Sequence, residues 1–167
     1  VFLVNQVRRM ELGFRSGEGV TDTGVPVESL MISGDLNIVD VQMVVQYDIK
    51  DLVDFLFKVD DPGEQAGIER DIPQGRPDGR TLKDAAEASI RLVVGQRSIG
   101  SVLAEERSQV QDDTKLELQE ILDSYHTGIN IVGVELQVVQ APEEVRAAFS
   151  DVVQARQDKQ TAINQAQ

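Results

Sequence analysis

The clearest pattern of apolar and polar positions in the chain runs from residue 38 to residue 49. From Val39 onward every odd position is apolar, polar residues fill most of the even positions, and only Val44 breaks the alternation. Successive side chains of a strand point to opposite faces, so this period of two is typical of a strand with one buried face. The pattern predicts a long strand in an antiparallel sheet that is covered on one side only.

Shorter segments before this strand predict a hairpin. Residues 1–14 are expected to form one or two strands with apolar side chains at even positions, and the Gly, Ser, Thr and Asp residues of 15–24 predict a turn. An extended segment over 26–32 and a tight turn at 33–35 then lead into the long strand. The expected hairpin covers residues 27–49.

Two segments after the long strand carry helical spacing. Residues 51–59 predict one helical turn, with Asp51 as N-cap, that runs into an extended end. Thr81 begins a longer helix that ends at Gly95. Asp84, three residues after Thr81, gives a variant of the capping box. The helix at 81–95 should pack closely on the sheet through a stripe of small and apolar residues. This stripe consists of Leu82, Ala85, Ala86, Ser89, Ile90 and Val93.

Residues 60–80, between these helices, form a Pro- and Gly-rich insertion without periodicity, which indicates an interaction loop or a mobile insertion. After a short turn at 98–103, a second long helix is predicted over 105–125, ending at Gly128. One face of it is expected to be buried, with charged residues opposite. That face consists of Val110, Thr114, Leu118, Ile121, Leu122 and Tyr125.

Strand character returns over residues 129–140. The apolar positions change parity at Gly133, where a β-bulge is expected, and Val134, Leu136 and Val138 then share one side. The two preceding helices make a crossover to the same sheet, right-handed if the strands are parallel.

A last helix is predicted from Pro142, with acidic residues in its first turn. Its larger side chains recur at alternating spacings of four and three, which is the rhythm of a coiled-coil seam. A solvated helix whose first turns pack on the domain is the open alternative, because few heptads are present. The seam consists of Val145, Phe149, Val152, Arg156, Lys159, Ile163 and Ala166.

Composition narrows the possible partners. The 167 residues suit one α+β domain of ordinary size, or one domain with an appendage. Of these residues 41% are hydrophobic but only 4% are aromatic. A net charge of −13 argues against nucleic acid and against electrostatic docking on anionic lipid. The sequence has no cysteine and no apolar run long enough to cross a membrane, and it does not open with the charged-then-apolar pattern of a signal peptide. Both ends look cut, so we expect a piece of a longer protein.

No residue cluster predicts catalysis, a cofactor site or a metal site. His126 is expected to have a structural role at a helix end, where a partly charged imidazole favours the helix dipole. Consecutive acidic residues on a helix point in different directions and do not converge on one metal or catalytic site. We therefore interpret the acidic pairs as parts of solvent-exposed helix faces. A Ser-Lys dyad stays open, because residues distant in sequence can meet in space.

Several motifs resemble the SPFH (band 7) family, which includes stomatins, prohibitins and flotillins, and within it the bacterial HflK type. They cover most of the chain outside residues 62–80. The residues that carry the resemblance are Val7–Gly19 with Gly13-Phe14-Arg15, Glu28–Val41, Asp54–Val59, Thr81–Gly95 with Ala85-Ala86-Glu87-Ala88, and 128–152 with its Pro142-Glu143-Glu144-Val145.

This resemblance implies an SPFH-type α+β domain at 1–140, lacking its first strands, with a mostly antiparallel sheet and helices packed on one side. Residues 141–167 would then begin a long helical stalk. It further implies a membrane-anchored scaffold without enzymatic activity, whose transmembrane helix lies outside this sequence. Such a scaffold would assemble with itself and an HflC-like subunit around the FtsH protease at the bacterial inner membrane, with this domain on the periplasmic side.

We expect the subunit contacts at the exposed strand edges and on the last helix. The isolated chain should be a monomer or a weak oligomer, because so acidic a surface repels itself. Two other classes stay open: a lipid-microdomain organiser of the stomatin type and a serine-dependent protease. The candidate contact residues on the last helix are Val145, Phe149, Val152 and Ile163.

Overall fold

The long alternating segment forms the central strand of the sheet. The computed structural model describes residues 6–17, 20–61, 75–105 and 107–142. The strands are β1 (Arg8–Leu12), β2 (Phe14–Gly17), β3 (Val20–Gly24), β4 (Leu30–Ile32), β5 (Ile38–Ile49) and β6 (Ile129–Gln140). The helices are α1 (Pro26–Ser29), α2 (Leu52–Phe57), α3 (Arg80–Gly95) and α4 (Arg107–Ser124), with a π-helical turn at Ser101–Glu105.

Strand β5 has neighbours on both edges. β6 pairs with it over residues 40–49, whereas β1 pairs with residues 43–47 and β4 with residues 38–40. Because a strand has two edges, β1 and β4 lie one after the other on the edge opposite β6. All three pairings are antiparallel, which confirms the predicted sheet type. The right-handed crossover that is predicted for parallel strands therefore does not apply to β5 and β6.

One face of this sheet carries the hydrophobic core. The odd-numbered side chains of β5 are buried, as the alternation predicts, and they pack with buried residues of α3 and α4. The whole predicted stripe of α3 is buried, and so are four of the six residues predicted for α4. The prediction that Tyr125 lies on the buried face is wrong, because Tyr125 follows the end of α4 and is 59% exposed. The predicted α+β architecture with helices on one side of the sheet is thus confirmed.

The two predicted helix starts have different outcomes. Asp51 caps α2 as expected, since its carboxylate accepts hydrogen bonds from Val53 N–H at 2.8 Å and Asp54 N–H at 3.1 Å. The prediction that Thr81 and Asp84 form a capping box is wrong. Helix α3 begins one residue earlier, and the Thr81 N–H donates to the distant Asp61 carboxylate at 2.6 Å.

The region read as a turn before the hairpin is also different. The described residues of this segment are not one turn: 15–17 and 20–24 form most of the separate two-stranded sheet of β2 and β3, with Phe14 opposite Gly24. Gly13 has a φ of +84°, which breaks the path between β1 and β2, and a Cβ there would lie 2.9 Å from Ser29 Cβ. The first part of the segment read as extended forms α1 instead, with Pro26 in its first turn, where proline suits a helix.

Strand β6 contains the predicted bulge and a second one. Gly133 pairs with Gln46 and Ile131 with Tyr47, so β6 has an extra residue between them, as expected at this glycine. A second register shift, between Val138 and Leu136, changes the parity again. Val139 therefore packs against the core. The prediction that Val138 lies on the same side of the strand as Val134 and Leu136 is wrong.

The chain reverses between α4 and β6 through two residues with positive φ. His126 has a φ of 52° directly after the helix, and Gly128 has a φ of +69°. A Cβ at Gly128 would lie 2.2 Å from the Asp51 carbonyl oxygen, so glycine is needed for this close contact rather than for ending the helix. The predictions for residues 1–5, for 62–74 within the insertion and for the last helix after Pro142 lie outside the described residues.

Candidate interaction surfaces

The one histidine lies at a helix end, as predicted. The side chain of His126 is exposed, and its backbone N–H donates to the Asp123 carbonyl oxygen at 3.0 Å. Within the part of the chain that the structure describes, no serine hydroxyl is hydrogen-bonded to a lysine or a histidine. No group of three or more His, Asp or Glu side chains among the described residues is arranged to hold a metal ion.

A buried charge cluster holds the small β2–β3 sheet, α1 and α3 together. Glu28 is 6% exposed, and its carboxylate accepts hydrogen bonds from Gly13 N–H at 3.1 Å and from Arg15 at 2.5 and 2.8 Å. The Lys83 ammonium on α3 forms an ion pair with it at 2.5 Å. Burial alone raises the pKa of Glu28, but the hydrogen bonds from Arg15, Lys83 and Gly13 outweigh it and lower the pKa to about 2.

A second cluster fixes the point where the insertion rejoins the domain. Asp78 pairs with Arg8 of β1 at 2.8 Å and with Arg76 at 3.4 Å. Both guanidinium groups lie 6.0 Å from the ring centre of the buried Phe55. Burial, followed by the nearby Asp78 charge, raises the pKa of Tyr47 to about 12.

The two flanks of the insertion also meet directly. The Gly75 N–H donates to the Asp61 carbonyl oxygen at 2.8 Å. Since the Asp61 side chain also binds the first turn of α3, this residue connects both flanks of the insertion to the helix.

The outer edge of β6 is closed by side chains of α4. Lys115 donates to the Val132 carbonyl at 2.8 Å, and Gln111 donates to that of Val134 at 3.0 Å. Gln119 accepts from the Ile131 N–H at 2.8 Å, and Arg107 binds the carbonyl oxygens of two further β6 residues. These four side chains are spaced four residues apart along one face of α4. They bind backbone groups that an uncovered edge would offer to another strand. The outer edge of β6 is therefore not one of the exposed strand edges at which contacts are predicted.

The other face of the sheet presents an exposed apolar surface at the tip of the β4–β5 hairpin. We call this surface the hairpin patch; its members are Leu30, Ile32, Leu36 and Ile38. Ile32 and Ile38 pair across the strands, and Leu36 is 85% exposed. The patch follows from the parity of the pattern, because even positions of β4 and β5 point away from the core.

The chain leaves the described residues close to this patch. Leu30 pairs with Asp40, and Asp40 pairs with Gln140 on the next strand, so the three residues form one row across the sheet. The Gln140 amide donates to the Asp40 carboxylate at 3.2 Å. The candidate contact residues Val145, Phe149, Val152 and Ile163 follow this exit point and lie outside the described residues.

A groove of about 560 Å³ separates the outer sides of α3 and α4. We call it the helix groove. Leu92 and Leu116 provide apolar walls and are 46% and 67% exposed. Its charged lining consists of Arg97, Asp113, Glu117, Glu120 and Asp123. Sequence reasoning missed this feature, because the groove depends on how the two helices lie side by side.

No helix within the described ranges combines the length and apolar character needed to cross a bilayer.

Comparison with known proteins assigns the fold to a family. The model of the family described as "SPFH domain / Band 7 family" matches residues 6–167. HflK of Treponema pallidum is 33% identical over 166 residues, covering 97% of this chain and 46% of that protein. HflK of Buchnera aphidicola from Schizaphis graminum is 33% identical over 138 residues, covering 83% and 30%.

A third relative carries a functional name. The "Modulator of FtsH protease HflK" of Escherichia coli K12 is 31% identical over 138 residues, covering 83% of this chain and 29% of that protein. The chain thus spans between 29% and 46% of the length of these three relatives. The family match covers nearly all of the sequence, and the resemblance to HflK is confirmed. The chain belongs to the SPFH domain / Band 7 family.

Proposed function

We propose that this chain is the SPFH domain of a non-enzymatic, membrane-anchored scaffold that modulates an FtsH-type membrane protease. The scaffold assembles around the protease from copies of itself and an HflC-like subunit. The similarity to a relative named as a modulator of FtsH protease supports the regulatory role. No residue arrangement among those described suggests a competing hydrolytic role.

In this proposal the domain ends near residue 140 and residues 141–167 begin a helical stalk. The anchor is a transmembrane helix outside the 167 residues, in the bacterial inner membrane, and the domain lies on the periplasmic side. The acidic net charge of −13 supports an attachment that does not depend on lipid electrostatics.

The observation that carries the assembly role is the hairpin patch. Its residues are apolar and solvent-exposed, and they are bordered by the polar Asp40 and Gln42 on the same face of the sheet. Contiguous exposed apolar surface with a polar border is typical of protein–protein interaction sites. Gln140, near the end of the described chain, lies in one row of the sheet with Leu30 of this patch. In this proposal Val145, Phe149, Val152 and Ile163 of the stalk also contact other subunits.

Pull-down of the full-length natural protein from solubilised membranes tests the assembly. The wild type should retain an FtsH-type protease and an HflC-like subunit. Replacing Ile32 and Ile38 together by serine should reduce the retained partners at least tenfold, because it removes two apolar side chains of the hairpin patch. The fold should persist, because both side chains are more than half exposed and contribute little to the core. The matched control is Tyr125→Ser, which removes an exposed aromatic group elsewhere and should retain both partners.

Equal retention by the Ile32/Ile38 variant would contradict the assignment of this patch. The two alternative functions give different results in the same preparations. Hydrolysis of a membrane-protein substrate without the protease would indicate a peptidase, and lipid enrichment around the protein without the protease would indicate a stomatin-type organiser.

A further inference from the structure

We propose that Leu36, at the tip of the β4–β5 hairpin, anchors this domain in an apolar pocket of the FtsH-type protease. The inference rests on the proposed function and deepens it, because it assigns one residue of the hairpin patch to one partner. It depends on a leucine that the fold holds in an unfavourable backbone conformation and leaves exposed.

The hairpin turn places residue 36 in the left-handed conformation. The Leu36 N–H donates to the Ser33 carbonyl oxygen at 2.9 Å, and the Ser33 N–H donates to the Asn37 carbonyl oxygen at 2.9 Å. These bonds are typical of a hairpin turn in which a left-handed residue forms a bulge before the second strand. Leu36 has a φ of 62°. Glycine and asparagine adopt this conformation readily, whereas leucine is strained in it.

Burial of the side chain does not compensate for this strain. Leu36 is 85% exposed, so it contributes little to the core. The glycine of the same turn serves a different purpose, because a Cβ at Gly34 would lie 2.8 Å from the Gly95 carbonyl oxygen at the end of α3. The turn therefore has a glycine where α3 comes close and a leucine where glycine would relieve strain. A strained residue whose side chain the fold does not use points to a role in binding.

The turn is held firmly against the segment that follows α3. The Asp35 carboxylate accepts hydrogen bonds from the Ser33 hydroxyl at 2.6 Å and from the Ile99 N–H at 3.0 Å. The Gly34 N–H donates to the Arg97 carbonyl oxygen at 2.7 Å. A backbone that is already fixed in this way loses little conformational freedom when its exposed side chain enters a pocket. The hairpin tip is thus organised for binding before a partner arrives.

The partner is a different protein rather than a second copy. Two copies would each bring a net charge of −13 to the contact, and the hairpin itself carries the acidic Asp35 and Asp40. The similarity to a relative named as a modulator of FtsH protease supports the protease as this partner. The pocket that receives Leu36 is apolar, and a neutral or basic rim would complement the acidic hairpin.

Replacing Leu36 by asparagine tests the inference, because binding and stability should change in opposite directions. Asparagine tolerates the left-handed conformation, so Leu36→Asn should raise the thermal unfolding midpoint of the full-length natural protein by about 2–4 °C. In pull-downs from solubilised membranes, the same variant should retain at least fivefold less FtsH-type protease than the wild type. Retention of the HflC-like subunit should stay at the wild-type level.

Two further variants serve as controls. Leu36→Met keeps an apolar side chain at the tip and should retain the protease as the wild type does. Leu116→Asn makes the same polar change at a leucine of α4 that is 67% exposed, in ordinary helical backbone. It should retain the protease and should not raise the unfolding midpoint, because no left-handed strain is relieved there.

The possible failures of the inference and of the proposed function differ. Wild-type retention of the protease by Leu36→Asn, or a lowered unfolding midpoint in this variant, would overturn the inference alone. Loss of the HflC-like subunit with the protease retained would overturn the choice of partner and with it the inference. A wild-type protein that retains no protease would instead reject the proposed function.

Discussion

At the residue scale, the structure depends on charged groups that the apolar pattern does not reveal. The alternation identified the buried side chains of β5 correctly, because burial of apolar groups follows from parity alone. It gave no sign that Glu28 is buried, since that depends on Arg15 and on Lys83 of a helix far along the chain. Pairing between distant charges is decided by the tertiary fold and is not encoded in local spacing.

We predict that Glu28→Gln lowers the free energy of unfolding by about 3–5 kcal/mol, because it leaves two cations beside a buried neutral amide. Chemical denaturation at pH 7 measures this. The control is Asp84→Asn, which removes an exposed carboxylate paired with Arg80 on the same helix and should change stability by less than about 1 kcal/mol.

The stability difference between the wild type and Glu28→Gln should depend on pH. The folded-state pKa of Glu28 is about 2, below its ordinary value of 4.5, so its stabilising contribution is present above pH 4.5 and is lost as the pH falls toward 2. Wild type and Glu28→Gln should therefore converge in stability over this interval. A constant difference between them down to pH 2 would contradict the role given to this carboxylate.

At the element scale, the sequence predicted the strands and long helices better than their ends and edges. The bulge at Gly133 followed from a local change of parity, but the second bulge near Gln137 had no glycine to mark it. The β2–β3 sheet was taken for a turn because its composition is rich in Gly, Ser, Thr and Asp, and its pairing is supported from outside by Glu28. Local composition cannot report such external support.

The side chains of α4 that close β6 give a further prediction. Gln119→Ala removes the acceptor for the Ile131 N–H, so that amide should exchange with solvent deuterium at least tenfold faster. The same variant should lose about 1–2 kcal/mol of stability, because a donor is left unpaired. Asp112→Ala, at an exposed position of the same helix, should leave the exchange of Ile131 unchanged. Equal exchange in both variants would mean that the edge is protected in another way.

At the scale of the whole molecule, the domain has one face covered by helices and one face that carries the hairpin patch. The sheet offers no open edge along β6, so contacts with other subunits are expected through side-chain surfaces. The sequence predicted the fold class and the family, because both depend on long patterns and motifs. It placed contact residues only on the last helix and at strand edges, and missed the hairpin patch and the helix groove, which arise from the packing of separate elements.

We propose that this domain regulates proteolysis through its surfaces and performs no reaction itself. The most direct test is the rate at which an FtsH-type protease degrades a membrane-protein substrate in vesicles, with and without the full-length natural protein. We expect no degradation by the full-length protein alone, a changed rate when both are present, and loss of the change with the Ile32→Ser, Ile38→Ser variant. Substrate cleavage by the full-length protein alone, or an unchanged protease rate in its presence, would contradict the claim.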